Sequence, residues 1–345
     1  MADTSDESHP THLSSSELGT KEYWETFYTR TLTHISSKQT SSAPPKAEYT
    51  SNGADINDED NDEDDEEDDY NADSDPGTSW FSEHNAPQKV LDFLTRELFP
   101  LAPVNTLPTI TSSGGTRRRK RNISAEEQKT QPRVLDLGTG NGSMLALLRK
   151  RGGFKGELMG VDYSTKSVEL ARELQETRGH EAYQSDSDDE DESDFGDDEE
   201  KEGEEREEEE WLPICFEEYD ILAPQIDLHS GKIPWFPYSN GGFDIVLDKG
   251  TFDAVSLMAE KIECERYPGI AGGLVRKGGF LVVTSCNWTE EEVVRWFTAT
   301  DVVDVSDSEQ KEGGRLVVWG KVQYPRFRFG GQEGQGVSTV CFQRV

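Results

Sequence analysis

Short apolar runs alternate with amphipathic stretches along the second half of the chain, and their order predicts the fold. Val134-Leu135-Asp136-Leu137 is too short for a helix and runs into the turn Gly138-Thr139-Gly140-Asn141-Gly142. It reads as a buried parallel strand. Residues 143–150 have helical character and stop at Gly152-Gly153. Residues 158–162 predict the next strand, and Ser164 is placed to cap a helix carrying Val168, Leu170, Ala171 and Leu174. Further strands are expected at 214–220, 243–248 and 280–286. Thr289 and Glu292 have the spacing of a capping box ahead of Val293, Val294, Trp296 and Phe297. Two last runs, 316–322 and 337–342, flank a glycine-rich loop and predict an antiparallel hairpin. Upstream, Asn85 and Pro87 suit the start of a helix through Val90, Leu91, Phe93, Leu94 and Leu98. Tyr23, Trp24, Phe27 and Tyr28 share one helical face. The whole order gives an α/β fold: a Rossmann-like, doubly wound sheet with one reversed strand and helices on both faces.

Charge changes the picture of the domains. The chain has 345 residues and a formal net charge of -35. Residues 55–75 hold fourteen acids and no Lys or Arg, and residues 181–210 hold nineteen acids against Lys201 and Arg206. These tracts cannot collapse into a core, and without them the chain is close to neutral. The expected organisation is a disordered tail (1–16), a helix packing on the domain (17–35) and a disordered acidic linker (36–78). One domain (79–345) follows, with disordered insertions at about 100–131 and 181–210. The run Arg117-Arg118-Arg119-Lys120-Arg121 reads as a nuclear-import signal, a phosphate-contacting run or a plain solvated loop. Cys215, Cys264, Cys286 and Cys341 lack metal-ligand spacing, so reduced thiols and no metal are expected. The opening residues carry no signal-peptide pattern and no run is long enough for a bilayer, which points to a cytoplasmic chain.

The glycine turn carries the chemistry. Glycines let a ligand approach the backbone, and the following helix start offers free N–H groups. The dinucleotide fingerprint needs a glycine at 143, where Ser143 stands. An acid-ended strand followed by G-x-G-x-G instead resembles the first motif of seven-strand, S-adenosylmethionine-dependent methyltransferases. An ordinary nucleotide-binding turn and a bland glycine turn stay open from these residues alone. Asp162 lies about twenty residues further on, where an acid accepts ribose hydroxyls in either class of cofactor. Residues 138–142, Asp162, Asp220 and Asp248 all map to the carboxyl edge of the sheet, where such folds bind ligands.

A narrower resemblance appears at Leu247-Asp248-Lys249-Gly250-Thr251-Phe252-Asp253-Ala254. With Leu18-Gly19-Thr20-Lys21-Glu22-Tyr23-Trp24-Glu25, Ser79-Trp80-Phe81 and Ser285-Cys286-Asn287-Trp288-Thr289, it is similar to the elongation factor 1-alpha lysine methyltransferase 2 family, called Efm-four in fungi. That resemblance implies S-adenosyl-L-methionine as donor and a lysine of translation elongation factor 1-alpha as acceptor; separately, a monomer is expected. The resemblance implies that Gly138, Gly140 and Gly142 line the donor, that Asp136 meets its amino group through water or the loop backbone and that Asp162 holds its ribose. Asp220 would accept from the adenine amine, or else be a helix cap or a surface acid. Asp248 would orient the incoming amine, or else cap the turn after it. Trp80, with Trp24 and Phe81, would wall the site or pack in the core. Nucleic acid is not an expected partner. Asp248-Lys249-Gly250-Thr251 lacks the prolines and aromatic of base-methylating enzymes, and the charge opposes a phosphate backbone. A non-catalytic relative that keeps the fold is the other alternative.

Overall fold

The computed structural model describes residues 10–41, 81, 84–108, 124–183, 212–223, 231–299, 314–329 and 332–345. Both acidic tracts, apart from the end residues 181–183, and the 117–121 basic run lie outside them, as does Trp80. Seven helices of six residues or more are named here: α1 (Lys21–Ser41), α2 (Ala86–Thr95), α3 (Ser143–Lys150), α4 (Thr165–Thr177), α5 (Thr251–Ser256), α6 (Lys261–Leu274) and α7 (Glu290–Thr298). The strands are β1 (Val134–Leu137), β2 (Leu158–Asp162), β3 (Cys215–Glu218), β4 (Phe243–Lys249), β5 (Val275–Ser285), β6 (Leu316–Val322), β7 (Arg326–Phe329), β8 (Gln332–Gln335) and β9 (Ser338–Arg344).

Seven strands form one sheet in the order β3-β2-β1-β4-β5-β9-β6. The first five run parallel, and β9 inserts antiparallel between β5 and β6. This is the expected sheet with one reversed strand; β7 and β8 add a small ribbon within the connection. Alternation along the strands sorts the core into two layers. Val134 and Leu158 face a cluster with α2, α3 and α4, while Leu135, Leu137 and Val161 face one with α5, α6 and α7. The change in strand-order direction between β1 and β4 places the ends of β1, β2 and β4 around one crevice.

Local signals explain most boundaries. Ser164 Oγ accepts from Ser167 N, and Thr289 with Glu292 forms the full capping box. Several expectations are corrected. Asn85 takes a left-handed conformation and makes no side-chain cap, and α2 ends at Thr95, leaving Leu98 79% exposed. Residues 10–16 are docked rather than a free tail: Leu13 packs against the second core, and Ser16 N donates to Leu257 O at 3.0 Å. Helix α1 runs past 35, its Thr26, Thr29, Thr33 and Ser36 hydroxyls donating to carbonyls four residues back. Short turns of helix at Pro103–Thr106 and Ala125–Gln128 also extend order into the expected 100–131 insertion.

Candidate active site

The crevice at the carboxyl edge is a cavity of about 480 Å³, a size that suits a small-molecule cofactor. The glycine turn forms its floor. Gly138 and Gly140 both sit at φ +58, and both line the cavity. A Cβ on Gly138 would lie 2.3 Å from Thr251 Oγ1, so glycine is required where the two loops cross. Thr251 Oγ1 donates to Leu137 O at 2.5 Å, which locks the start of α5 onto the end of β1. Above Gly140 stands the Tyr28 hydroxyl, 3.1 Å from where a Cβ would be. Gly142 behaves differently. Its missing Cβ would strike the rings of Phe216 and Tyr183, so this glycine serves core packing and does not line the cavity.

The acids at the strand ends are placed less simply than their positions in the sequence imply. Asp136 is 2% exposed beneath the turn, where Oδ2 accepts from Thr139 Oγ1 at 2.9 Å. Burial pushes its pKa up to about 6, against the pull of the Lys249 charge. It touches the cavity only through the turn above it. Asp162 lines the cavity while tying the turn together. Its oxygens accept from Gly140 N at 3.1 Å, Ser164 N at 2.9 Å and Ser167 Oγ at 2.7 Å. Burial raises its pKa, and these three bonds act against that. A carboxylate offers about four acceptor positions, so Asp162 keeps room for one more donor. Asp220 is exposed on the cavity rim, with Oδ1 accepting from Leu222 N at 2.9 Å. Its place on the rim is compatible with the adenine role and with a surface acid, and the bond from Leu222 N closes a turn rather than a helix start.

Asp248 is a correction. It does not line the cavity, and it is 1% exposed. Oδ1 accepts from Thr251 N at 2.9 Å and Phe252 N at 3.1 Å, capping α5, and Oδ2 accepts from Tyr267 OH at 2.8 Å. Burial lifts its pKa to about 7, with those bonds opposing the rise. The carboxylate is turned toward α5 and α6. Its neighbour Asp253 is similarly absorbed: it accepts from Cys286 N at 2.8 Å and from the Ser285 hydroxyl. That is why the Ser-Cys-Asn-Trp stretch matters structurally.

The walls are aromatic and apolar. Tyr28 and Trp24 come from α1, Tyr163 follows Asp162, and Tyr219 precedes Asp220. Phe81 covers Gly250, where a Cβ would come within 3.1 Å of its ring. The N-terminal segment straps this mouth. Tyr163 OH donates to Thr20 O at 3.2 Å, Thr165 N donates to Glu25 Oε1 at 2.8 Å, and Gly19 packs directly on Leu257. Sequence reasoning placed the α1 aromatics on one face but missed Tyr163, Thr251, Ser167 and Lys249. Only Thr251 and Lys249 had a signal, through the Asp-Lys-Gly-Thr stretch. Among the described residues no group of three potential metal ligands occurs.

A family model described as a methyltransferase domain matches residues 128–199, which include the glycine turn and Asp162. The chain is 29% identical to protein-lysine N-methyltransferase EFM4 of Saccharomyces cerevisiae over 96% of each chain. It is 26% identical to protein-lysine N-methyltransferase efm4 of Schizosaccharomyces pombe, over 96% of this chain and 95% of that one. Against EEF1A lysine methyltransferase 2 of Danio rerio the identity is 28%, over 65% of this chain and 71% of the relative.

Proposed function

We propose that this chain, which belongs to the family of protein-lysine N-methyltransferases represented by EFM4 and EEF1A lysine methyltransferase 2, takes S-adenosyl-L-methionine as donor and a lysine of translation elongation factor 1-alpha as acceptor. The observation that carries the donor assignment is the glycine floor closed by Thr251 and Tyr28, with Asp162 at its side still able to accept one hydroxyl. The names of the relatives support the acceptor.

The donor supplies a methyl group on a sulfonium, already a good leaving group. What this chain must do is orient, exclude water and admit an uncharged amine. Gly138 and Gly140 let the backbone come close to the donor, and Asp162 holds a ribose hydroxyl. Asp220 meets the adenine side from the rim. Aligning the two reactants is an orientation effect that can account for several kcal/mol of barrier lowering. A lysine of pKa about 10.4 must lose its proton first. With Asp248 committed to α5, no carboxylate at the end of β4 is available as base. Tyr28, Phe81, Val255 and Met258 instead offer an apolar lining that disfavours the ammonium form. The proton then leaves to water at the mouth.

The setting we propose is a cytoplasmic monomer, with the 117–121 basic run admitting part of the population to the nucleus. Sedimentation and imaging of the tagged chain test these two points. The central test mixes the purified chain with methyl-labelled donor and elongation factor 1-alpha. Label on a lysine of that protein is the expected result. Label appearing in RNA, or calorimetry that detects no uptake of donor or of S-adenosylhomocysteine, overturns the reading.

A further inference from the structure

Two described cations line the cavity, Lys21 and Lys249. They differ in company. Lys21 belongs to the β2–β3 side, with Nζ 3.4 Å from Glu218 and 5.9 Å above the Tyr163 ring. Lys249 ends β4, half-buried, beside the glycine turn. Its Nζ lies 5.3 Å from the centre of the Phe81 ring. Among the described residues, no carboxylate stands within ion-pair distance of it. Its charge is felt by Asp136, which is buried under the turn and hydrogen-bonded to Thr139, and by the Cys286 thiol.

A half-buried ammonium with no carboxylate at ion-pair distance, in a crevice lined largely by aromatic and apolar groups with Asp162, Asp220, Glu260 and Glu263 also on its lining, is poorly matched unless a ligand completes it. The amino-acid end of the proposed donor carries one anionic group, its α-carboxylate. Removing a carboxylate from water without a counter-charge is costly. Lys21 is matched by Glu218 and stands on the ribose side, next to Tyr163. Lys249 stands at the other end of the glycine turn, where Gly138 meets Thr251. The Phe81 face attracts the ammonium and steers its flexible stem over Gly250.

We infer that Lys249 is the anion-binding group of this cavity and pairs with the α-carboxylate of the donor. The inference rests on the donor assignment proposed above. It makes Lys249 a binding residue for the half of the donor that does not react, and it leaves the methyl and the acceptor to other groups. It also explains why a cation can sit in a site that must admit a lysine: once paired, it no longer repels one.

The test compares two nucleosides on the full chain by calorimetry. S-adenosylhomocysteine carries the amino-acid end; 5′-methylthioadenosine lacks it. Lys249→Gln should weaken S-adenosylhomocysteine roughly ten- to a hundredfold, the range for losing a hydrogen bond to a charged group. Affinity for 5′-methylthioadenosine should stay within about twofold of native, which also reports an intact fold, because the missing contact is not one this ligand makes. Lys249→Arg should recover most of the loss, since it restores the charge. Unchanged S-adenosylhomocysteine binding in Lys249→Gln overturns the inference, as does an equal loss for both nucleosides. A native chain that takes up neither nucleoside overturns the donor assignment, and the inference falls with it; native uptake with an insensitive Lys249 overturns the inference alone.

Discussion

Replacing Asp248 with Asn separates a structural acid from a catalytic one. The carboxylate is buried, accepts two backbone N–H groups and one phenol, and has its pKa pushed from 3.8 to about 7 by burial. The native state therefore holds this proton more tightly than the unfolded chain does. Stability contributed at this group is greatest below pH 4 and falls as pH rises through about 7. With about 1.4 kcal/mol per unit, the full penalty of carrying the ionised acid is about 4 kcal/mol, and about 2 to 3 kcal/mol of it develops between pH 5 and pH 8. Asn keeps the shape, can accept from Thr251 N and Phe252 N, and can donate to the Tyr267 oxygen. It carries no charge. Urea unfolding of native and Asp248→Asn chains should thus show the variant gaining relative stability as pH rises from 5 to 8, by about that amount. Turnover should stay within a few fold of native. Asp248→Ala should do the opposite, leaving two buried N–H groups and a phenol unpartnered at a cost of about 2 to 4 kcal/mol. A stability difference between native and Asn chains that does not change with pH refutes the titration argument. Loss of turnover in the Asn variant, with stability and donor affinity intact, refutes the structural role and returns Asp248 to the reaction.

Gly138→Ala should abolish donor binding and destabilise the chain, since its Cβ meets Thr251 Oγ1 at 2.3 Å. Gly153→Ala, also at positive φ but with nothing within 4 Å, should cost only about 1–2 kcal/mol of backbone strain and leave binding alone. Calorimetry and thermal unfolding read both. Asp162→Ala removes the partner of Gly140 N, Ser164 N and Ser167 Oγ, so it should lower stability by about 2–4 kcal/mol and donor affinity by more than tenfold; unchanged affinity in a folded variant removes Asp162 from the site. Trp24→Ala breaks the indole bond to Leu18 O and loosens the strap, and stopped-flow release of S-adenosylhomocysteine should quicken.

Features that depend on neighbours in sequence were legible. The glycine turn, the Ser164 cap, the capping box and the alternation that sorts the strands between two core layers all rest on local chemistry, and the structure places them where the pattern indicates. What sequence could not convey is which way an acid turns. Asp136, Asp162 and Asp248 all end or nearly end parallel strands, so position alone offers each to the crevice. Their contacts depend on partners elsewhere: Tyr267 is nineteen residues from Asp248, and Gly140 is twenty-two before Asp162. Docking of residues 10–16 was hidden for the same reason. A polar stretch with one leucine and one backbone bond to Leu257 carries no periodic signal. Gly142 was read as part of the ligand cradle because motif spacing does not show that Phe216 and Tyr183 fill the space behind it.

The same bonds that answer the folding question also fix the site. Leu137 O accepts from Thr251, whose N–H is held by Asp248, which in turn is held by Tyr267 on α6. This chain of contacts links β1, β4, α5 and α6, and it sets the height of Thr251 above Gly138. On the other side, Asp162 links the glycine turn to the start of α4 through Gly140, Ser164 and Ser167. The turn is therefore clamped between two acids before any ligand arrives, which reduces the ordering cost of binding. The clamp also explains why an acid is retained at 248 despite its burial penalty. A side chain there must accept two N–H groups at a helix start and hydrogen-bond a phenol at once, and alanine or any apolar residue does none of these. Asn alone among uncharged residues of that size matches the set, so it is the substitution whose effect on turnover separates holding the site from acting in it.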